Sequence, residues 1–416
     1  MRVLILSQFF TPDITAAAFR IADTACVLAK AGHQVAVVTT YPHKTETIGV
    51  DDCEWKNLGI QVIRCQVPVV TGSGGMKAYL RHYVTYMYKS IFRSLWLRMR
   101  WGKPDVVFAT SPPLFVGISG RVLAGCWWRP FVFEVRDIWP DSAVAAGQIS
   151  NGGRAYRFGR RLERYLYRKA TAITCVSQPM KKYIEGESTT PVTVVYNGVP
   201  AAKIKSSEVH RDSDEDGSIQ TILYAGNIGH VQELDLLAGT FLDLIEEGKI
   251  ENWKLRVIGT GVKKDDLVRL VRSRNGGLHV SIEAPVQRDK AAQCMRNSDA
   301  LFLNLRKDHT LEKTIPSKLF DYMLAARPIL ASLAGEGRSI LESTGANLCC
   351  SPGDRVELRN MLLEGFKRHA ELRQRADANK QVVAEHFTRE RNIARLTSVL
   401  EEVTMARERK SSQEGS

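Results

Sequence analysis

Short, continuous apolar runs alternate along this chain with longer stretches whose apolar residues recur every three to four positions. The first pattern is that of strands buried on both faces, the second that of amphipathic helices. Their alternation predicts βαβ units and parallel sheets. In the first half the runs are RVLILSQF, HQVAVVTT, IQVIRCQV, DVVFAT, FVFEVRD and TAITCVS, with VTVVYNGV closing the set. Helical patterns fall between them over 16–31, 77–101, 114–127 and 154–169, and Gly32 stands where the first helix should end. The stretch 201–218, AAKIKSSEVHRDSDEDGS, has no apolar periodicity and reads as a linker or exposed loop. A second series follows: IQTILYAGNIG, WKLRVIGTG, LHVSIEAPV, DALFLNLR, PILASLA and ANLCCS, with helices at 232–247 and 316–326. A long polar helix over 354–387 and a last helix from Phe387 to near Arg407 complete the pattern.

The expected fold class is therefore α/β, with two Rossmann-like doubly wound domains facing across a cleft. The expected boundaries are an N-terminal domain over 1–200, a linker over 201–218, and a C-terminal domain over 219–386. A helix over 387–408 follows, then a frayed tail over 409–416. The N-terminal MRVLILSQFFTPD reads as a first strand and not as a signal peptide. No run of about 18 uncharged apolar residues is present to span a membrane.

Charge divides the chain unevenly. Residues 1–200 hold 25 Lys/Arg against 13 Asp/Glu, whereas the remainder holds 33 against 32. The excess of basic residues in the first half alone points to an anionic partner for that half. The eight cysteines form no Cys-x-x-Cys pair and read as reduced thiols of a cytoplasmic protein.

Ligands of open α/β sheets bind beyond the carboxyl ends of the strands, so the loops that follow strands carry the chemistry. The loop Tyr224–Gln232 is expected to open a helix. Gly226 and Gly229 would let its backbone approach a phosphate, with Asn227 and Gln232 adding donors. In Thr314–Pro328, Pro316 suits a first helical turn, placing Ser317 and Lys318 at its positive end and Asp321 one turn on, where it could accept from a ribose diol. The bland alternatives are an ordinary glycine turn and a serine-capped helix with solvated charges. After FVFEV come Arg136 and Asp137, next to Glu134. Three charges at a strand end reach a cleft or form a buried structural pair. Thr15 and Ala16, after the first strand, are small enough for close approach by an acceptor or phosphate. Gly259-Thr-Gly261 lacks the third glycine of a dinucleotide fingerprint. The acidic triplets within 212–216 mimic an Asp-x-Asp metal motif but sit in the polar linker, and no metal site is expected.

The segments GHQVAVVTTYP, EVRDIWPDS, CVSQPMKKYI, VVYNGV, YAGNIGHVQELD and IPSKLFDYMLAARPILA occur in this order. In them the chain resembles retaining family 4 glycosyltransferases of the B-type fold, in the bacterial branch that builds O-antigen, colanic acid and capsule repeat units. The resemblance implies that Gly226, Asn227 and Gln232 line a donor diphosphate pocket, that Lys318 contacts the diphosphate, and that Gly229, Ser317 and Leu319 also belong to the donor-binding set. Asp321 would hold the nucleotide ribose and Val286 would border the base. Arg136 and Asp137 would face the reacting sugar, so that Asp137, Arg136 and Lys318 form the catalytic set. Departures are also evident. Lys313 stands where the first Glu of the family's paired motif falls, with Glu312 adjacent. Asp321 shortens the second Glu, Gln232 replaces a basic residue, and Ala325-Ala326 replaces an Ala-Gly turn.

The implied activity is transfer, with retention, of a hexosyl or N-acetylhexosaminyl unit. The donor would be a UDP- or GDP-linked sugar and the acceptor a lipid-linked or other glycan, without metal or cofactor. Rival readings are a nucleotide-sugar epimerase of the same fold and a non-catalytic member of a polysaccharide assembly complex. The segment 77–101 has no acidic residue and interleaves aromatics with basic residues, including Arg93, Trp96, Arg98 and Arg100. This composition suits a helix on an anionic membrane at the inner face of the cell membrane, or a core helix with solvated charges. No nucleic-acid motif is present, and no nucleic-acid partner is expected.

Overall fold

Every apolar run forms a strand. The structure, a computed structural model, describes residues 1–13, 15–42, 50–69, 76–206 and 219–414. The acidic triplets within 212–216 lie outside them, as does most of the expected linker, of which Ala201–Ser206 is helical.

One unit comprises Met1–Val144, Gln148–Asn197 and Arg389–Ser416. Its strands are β1 (Arg2–Leu6), β2 (Gln34–Thr40), β3 (Ile60–Cys65), β4 (Val106–Thr110), β5 (Phe131–Val135), β6 (Ala172–Cys175) and β7 (Val192–Val194). All pair in parallel, in the order β3-β2-β1-β4-β5-β6-β7. Helices cover both faces, which is why β4 and β5 are buried at every position. The helix Arg389–Glu414 belongs to this unit. Its Leu396, Val399 and Leu400 join Ile21, Ala25 and Leu28 of the helix Ala16–Lys30 in one core cluster. Each such buried side chain stabilises by about 1.5–3 kcal/mol.

The other unit comprises Ala145–Gly147 and Gly198–Thr388. Its strands are β8 (Gln220–Ala225), β9 (Trp253–Ile258), β10 (Val280–Glu283), β11 (Ala300–Asn304), β12 (Ile329–Ser332) and β13 (Leu348–Cys350). They too are parallel, in the order β10-β9-β8-β11-β12-β13. Where the chain leaves and re-enters this unit, Val199 and Thr388 form an isolated bridge and Val199 N donates to Phe387 O at 3.1 Å. Both units are doubly wound α/β sheets.

Three local expectations are corrected. The polar segment 354–387 is three helices, Arg355–Lys367, His369–Arg375 and Asp377–His386. The chain bends because Phe366 stacks on Trp253 at 4.2 Å, His369 meets the same ring edge-on at 5.4 Å, and the buried Asn379 side chain bonds to Asn347 and Thr344. The last helix runs to Glu414, through most of the segment expected to fray after Arg407. The helix expected from 232 starts at Leu234, with Glu233 in a left-handed conformation at φ 36 before it. Of the eight free cysteines, Cys53 and Cys126 are exposed, and the other six are buried or half-buried. Among the described residues no helix is long and apolar enough to cross a membrane.

Candidate active site

In the second unit the strand order reverses between β8 and β11, the position at which open sheets bind ligands. Lys318 opens the helix Lys318–Leu324 and reaches back to the end of β8. Its Nζ donates to Tyr224 Oη at 2.6 Å and lies 4.1 Å from the centre of that ring. Gly226 leaves space for the amine. A Cβ there would lie 1.9 Å from Lys318 Nζ and displace it, and the backbone at φ 148 is strained for any side chain. Tyr322, one turn along the same helix, accepts from Ala225 N at 2.8 Å and ties the helix to β8. Burial pulls the Lys318 pKa from 10.5 down to about 7, and among the described residues no carboxylate lies near enough to pull it back. A buried amine without a counter-ion is costly in the empty protein and favourable to an incoming anion.

The Gly226–Glu233 loop differs from the expected cradle. No helix begins near Gly229, and several of the amides offered to a phosphate are used within the unit. Gly226 N donates to Ile258 O (2.8 Å), Ile228 N to Thr260 O (2.9 Å) and Gly229 N to Gln232 Oε1 (3.2 Å). Asn227 Nδ2 also donates to Gln232 Oε1, at 3.3 Å. The side chains expected to bind the donor thus shape the loop. Gly259 and Gly261 have a structural purpose as well: a Cβ there would meet Gly226 O at 1.8 Å and Ile228 O at 2.3 Å. From β11, Asn304 Nδ2 donates to Gln232 O (2.7 Å) and Arg306 N to Val231 O (2.7 Å), clamping the far side of the loop. Arg306 also brings positive charge to Glu233. Burial pushes the Glu233 carboxyl up in pKa, and Arg306 opposes that shift.

The second loop divides its residues. Ser317 is exposed and makes no capping bond, and its helix has only seven residues, so Lys318 supplies the charge and the helix end adds little. Leu319 is a correction. Its side chain is fully buried and its N–H donates to Pro316 O at 3.0 Å, which places it in the core. Asp321 lies 3.7 Å from Arg288 Nη2, and both line a cavity of about 280 Å³ with Lys203, Arg296 and Ala325. Val286 is exposed between β10 and the helix Arg288–Arg296. Of the two residues near the absent first Glu, Glu312 faces His309 at 3.7 Å and Lys313 Nζ donates to His309 O at 2.7 Å. Ala326 has φ 51, a left-handed conformation that glycine adopts freely and alanine at a cost of about 1–2 kcal/mol.

In the first unit the charges after β5 separate into two groups. Glu134 is buried in the strand and pairs with Arg20 of the helix Ala16–Lys30, which also bonds Asn197. Thr110 Oγ1 donates to Glu134 at 2.7 Å. This is the structural pair that the sequence left open. Burial pulls the Arg20 pKa down to about 10 against the pull of Glu134, with Arg136 and Arg389 adding to the fall. Arg136 and Asp137 are half-buried beyond the strand. Arg136 Nε is buried without a hydrogen-bond partner, and burial raises the Asp137 pKa against the field of Arg136. Thr15 is committed elsewhere: its hydroxyl caps the helix by accepting from Ala18 N at 3.1 Å, and Ala16 is exposed beside it.

The helix Met76–Trp101 buries His82, Tyr86, Ser90, Ser94 and Leu97 along one stripe. Its outward face carries Tyr88, Phe92, Leu95, Trp96 and Met99, flanked by Lys89, Arg93, Arg98 and Arg100. Phe92 is 69% and Met99 74% exposed, and the Arg100 guanidinium lies 4.3 Å from the Trp96 ring centre.

The chain thus consists of two doubly wound α/β units, with a lysine against Tyr224 at the switch point of the second. Residues 15–198 match the family model described as glycosyl transferase 4-like domain, and residues 219–367 the model described as glycosyl transferases group 1. The matches together span about four-fifths of the chain, which belongs to the family 4 glycosyltransferases of the B-type fold. The chain is similar to a probable glycosyltransferase, WbjE, of Pseudomonas aeruginosa, at 23% identity over 67% of this chain and 70% of that protein. It is also similar to the putative colanic acid biosynthesis glycosyl transferase WcaI of Escherichia coli K12, at 24% over 77% and 80%. Its fold is similar to that of Anabaena Alr3699/HepE in complex with UDP and glucose. That comparison has a TM-score of 0.71 and 14% identity, and covers 97% of this chain and all of that one.

Sequence reasoning assigned no role to Tyr224, Tyr322, Asn304, Arg306, Arg288 or Arg20. Asn304 and Arg306 were detectable, since they close and follow a strand; the tyrosines look like core residues until Lys318 is seen against them.

The lysine has a signature in stability. Below pH 7 the folded and unfolded states both carry its proton, and the fold bears the full cost of burying the charge. As pH rises from about 7 towards 10.5 the folded state has already released the proton and the cost fades. Lys318→Met should therefore be more stable than the wild type at pH 6, by on the order of 1–3 kcal/mol. In denaturant titrations that difference should shrink towards pH 10.5; one independent of pH would contradict the buried, uncompensated amine.

Proposed function

We propose that this glycosyltransferase moves a hexosyl or N-acetylhexosaminyl unit from a UDP- or GDP-linked donor to a lipid-linked or other glycan acceptor. The transfer retains anomeric configuration, uses no metal, and serves cell-surface polysaccharide assembly at the cytoplasmic face of the membrane. The observation that carries this reading is Lys318, an amine withdrawn from water at the switch point of the second sheet, with no carboxylate among the described residues to neutralise it. A departing nucleotide diphosphate needs positive charge held ready where its own negative charge develops, and such a charge is worth most in a dry site. The names of the WbjE and WcaI relatives and the UDP bound to Alr3699/HepE support the reaction class and donor. They give no support to the epimerase or the non-catalytic alternative.

In the proposed reaction the bond between the sugar C1 and the diphosphate oxygen breaks, and the acceptor oxygen bonds C1 from the same face. The acceptor proton passes to the leaving diphosphate, so no protein nucleophile is required. Lys318 neutralises the leaving group. Asp321 with Arg288 is assigned to the nucleoside, Val286 to the rim of the base, and Arg136 with Asp137 to the sugar and acceptor. Among the described residues no group of three His, Cys, Asp or Glu side chains could hold a metal ion. Membrane attachment is assigned to the outward face of the helix Met76–Trp101, where an apolar stripe is flanked by basic residues.

Lys318→Ala should lower turnover by about 100-fold or more and weaken nucleotide diphosphate binding, while EDTA leaves wild-type activity unchanged. Turnover near the wild-type value in Lys318→Ala would refute the assignment. Replacing Arg93, Arg98 and Arg100 together with Gln should release the protein from anionic vesicles in flotation, with donor affinity unaltered. A triple variant that floats like the wild type would remove the helix from the membrane reading.

A further inference from the structure

Behind Lys318 stands a side chain that holds the amine without reaching the space in front of it. Tyr224 lies at the end of β8 and is fully buried, whereas Lys318 is half-buried and Asn227 is exposed. Two short hydrogen bonds meet at the Tyr224 hydroxyl. Its O–H donates to Asn227 O at 2.6 Å, and its oxygen accepts from Lys318 Nζ at 2.6 Å. The lysine side chain crosses Gly226 to arrive there: a Cβ on that glycine would stand 2.1 Å from Lys318 Cε.

The direction of these two bonds decides what the phenol does to the amine. A carbonyl oxygen only accepts, so Asn227 O keeps the phenol proton on its own side. Tyr224 Oη then offers lone pairs to Lys318, and Nζ must be the donor. An ammonium donates more strongly than a neutral amine, so the phenol favours the charged form. The face of the same ring, 4.1 Å from Nζ, acts in the same sense. Burial opposes both, and among the described residues no charged side chain contributes to the lowered Lys318 pKa. The other titratable group facing the pair is Tyr322, whose hydroxyl is bound to Ala225 N and Ala225 O at 2.8 and 3.3 Å. Burial holds both phenols well above their ordinary pKa, with Tyr322 adding to the rise at Tyr224, so neither ionises where Lys318 exchanges its proton.

We infer that Tyr224 is a positioning residue for the transfer: its oxygen holds Lys318 Nζ in place and in the charged form for the diphosphate, and its proton ties that amine to the Gly226–Glu233 loop through Asn227 O. Tyr224 acts through Lys318 and does not itself touch the nucleotide. This role rests on the assignment of Lys318 to the departing diphosphate.

The test compares Tyr224→Phe, which keeps the ring and removes the oxygen, with the wild type and with Lys318→Met. Binding of UDP and of GDP is measured by calorimetry from pH 6 to pH 8. Without its acceptor the ammonium of Tyr224→Phe releases its proton at lower pH, and a hydrogen bond to a charged donor is worth about tenfold in that equilibrium. Tyr224→Phe should therefore bind the nucleotide about twofold more weakly than the wild type at pH 6 and about tenfold more weakly at pH 8. A loss of the same size at every pH would mark a packing role alone and overturn the proposal, as would wild-type affinity throughout. Lys318→Met separates the two assignments. Wild-type binding in that variant would refute the role of Lys318 itself, whereas weakened binding there beside an unaffected Tyr224→Phe would refute the role of Tyr224 only. Should Tyr224→Phe not fold, tyrosine labelled with carbon-13 at Cζ decides in the folded protein. One resonance should titrate near pH 7 in the wild type and cease to do so in Lys318→Met, and the absence of such a resonance would equally overturn the proposal.

Discussion

The second unit is organised around one unneutralised charge. The amine of Lys318 is hydrogen-bonded to a phenol, lies against the face of the same ring, and has burial as the sole cause of its lowered pKa. Such an arrangement lowers the stability of the empty fold, and its neighbours hold it nonetheless. Tyr224 Oη accepts its hydrogen bond, Gly226 vacates the volume, and Tyr322 fixes the helix against β8. Gly259 and Gly261 let the loop lie on the end of β9. An amine held in this place beforehand, and charged once an anion binds beside it, meets that anion with little solvent to reorganise, which is the condition under which fixed charge is most effective.

The first unit handles charge differently. Glu134 and Arg20 neutralise each other inside the sheet, with Thr110 and Asn197 meeting the remaining oxygen and nitrogen atoms. Removing one partner of such a pair costs on the order of 3–5 kcal/mol, so this is part of the frame and not of the chemistry. Arg136 and Asp137 then stand just beyond a rigid, fully buried strand, with an unused guanidinium N–H and a carboxyl of raised pKa. Much of the basic excess of residues 1–200 lies on two helices, Met76–Trp101 and Arg154–Lys169.

The strands were legible because parallel strands covered on both faces must be continuous apolar runs, and each run from RVLIL to ANLCC became a strand. Helix ends were less legible. Glu233 adopts φ 36 and delays a helix that periodicity starts at 232, and the Phe366–Trp253 stack breaks a polar helix at a point that no glycine or proline marks. Lys318 and Asp321 stood out from motif spacing, whereas the burial of Leu319 did not, because adjacency to Lys318 says nothing about which face of a short helix a residue occupies. The loop glycines were identified, but for a ligand, whereas Gly226 accommodates an amine of the protein itself. Arg20 was invisible in sequence, since its partner lies 114 positions away.

Calorimetry of UDP and GDP binding in buffers of different ionisation enthalpy tests the Lys318 assignment most directly. At pH 8 the free amine, with a pKa of about 7, is mostly neutral, and a bound diphosphate would restore its charge. The account predicts uptake of about one proton per nucleotide bound at pH 8, falling towards zero at pH 6 and absent in Lys318→Met. Binding of the wild type with no proton uptake at pH 8 would contradict it.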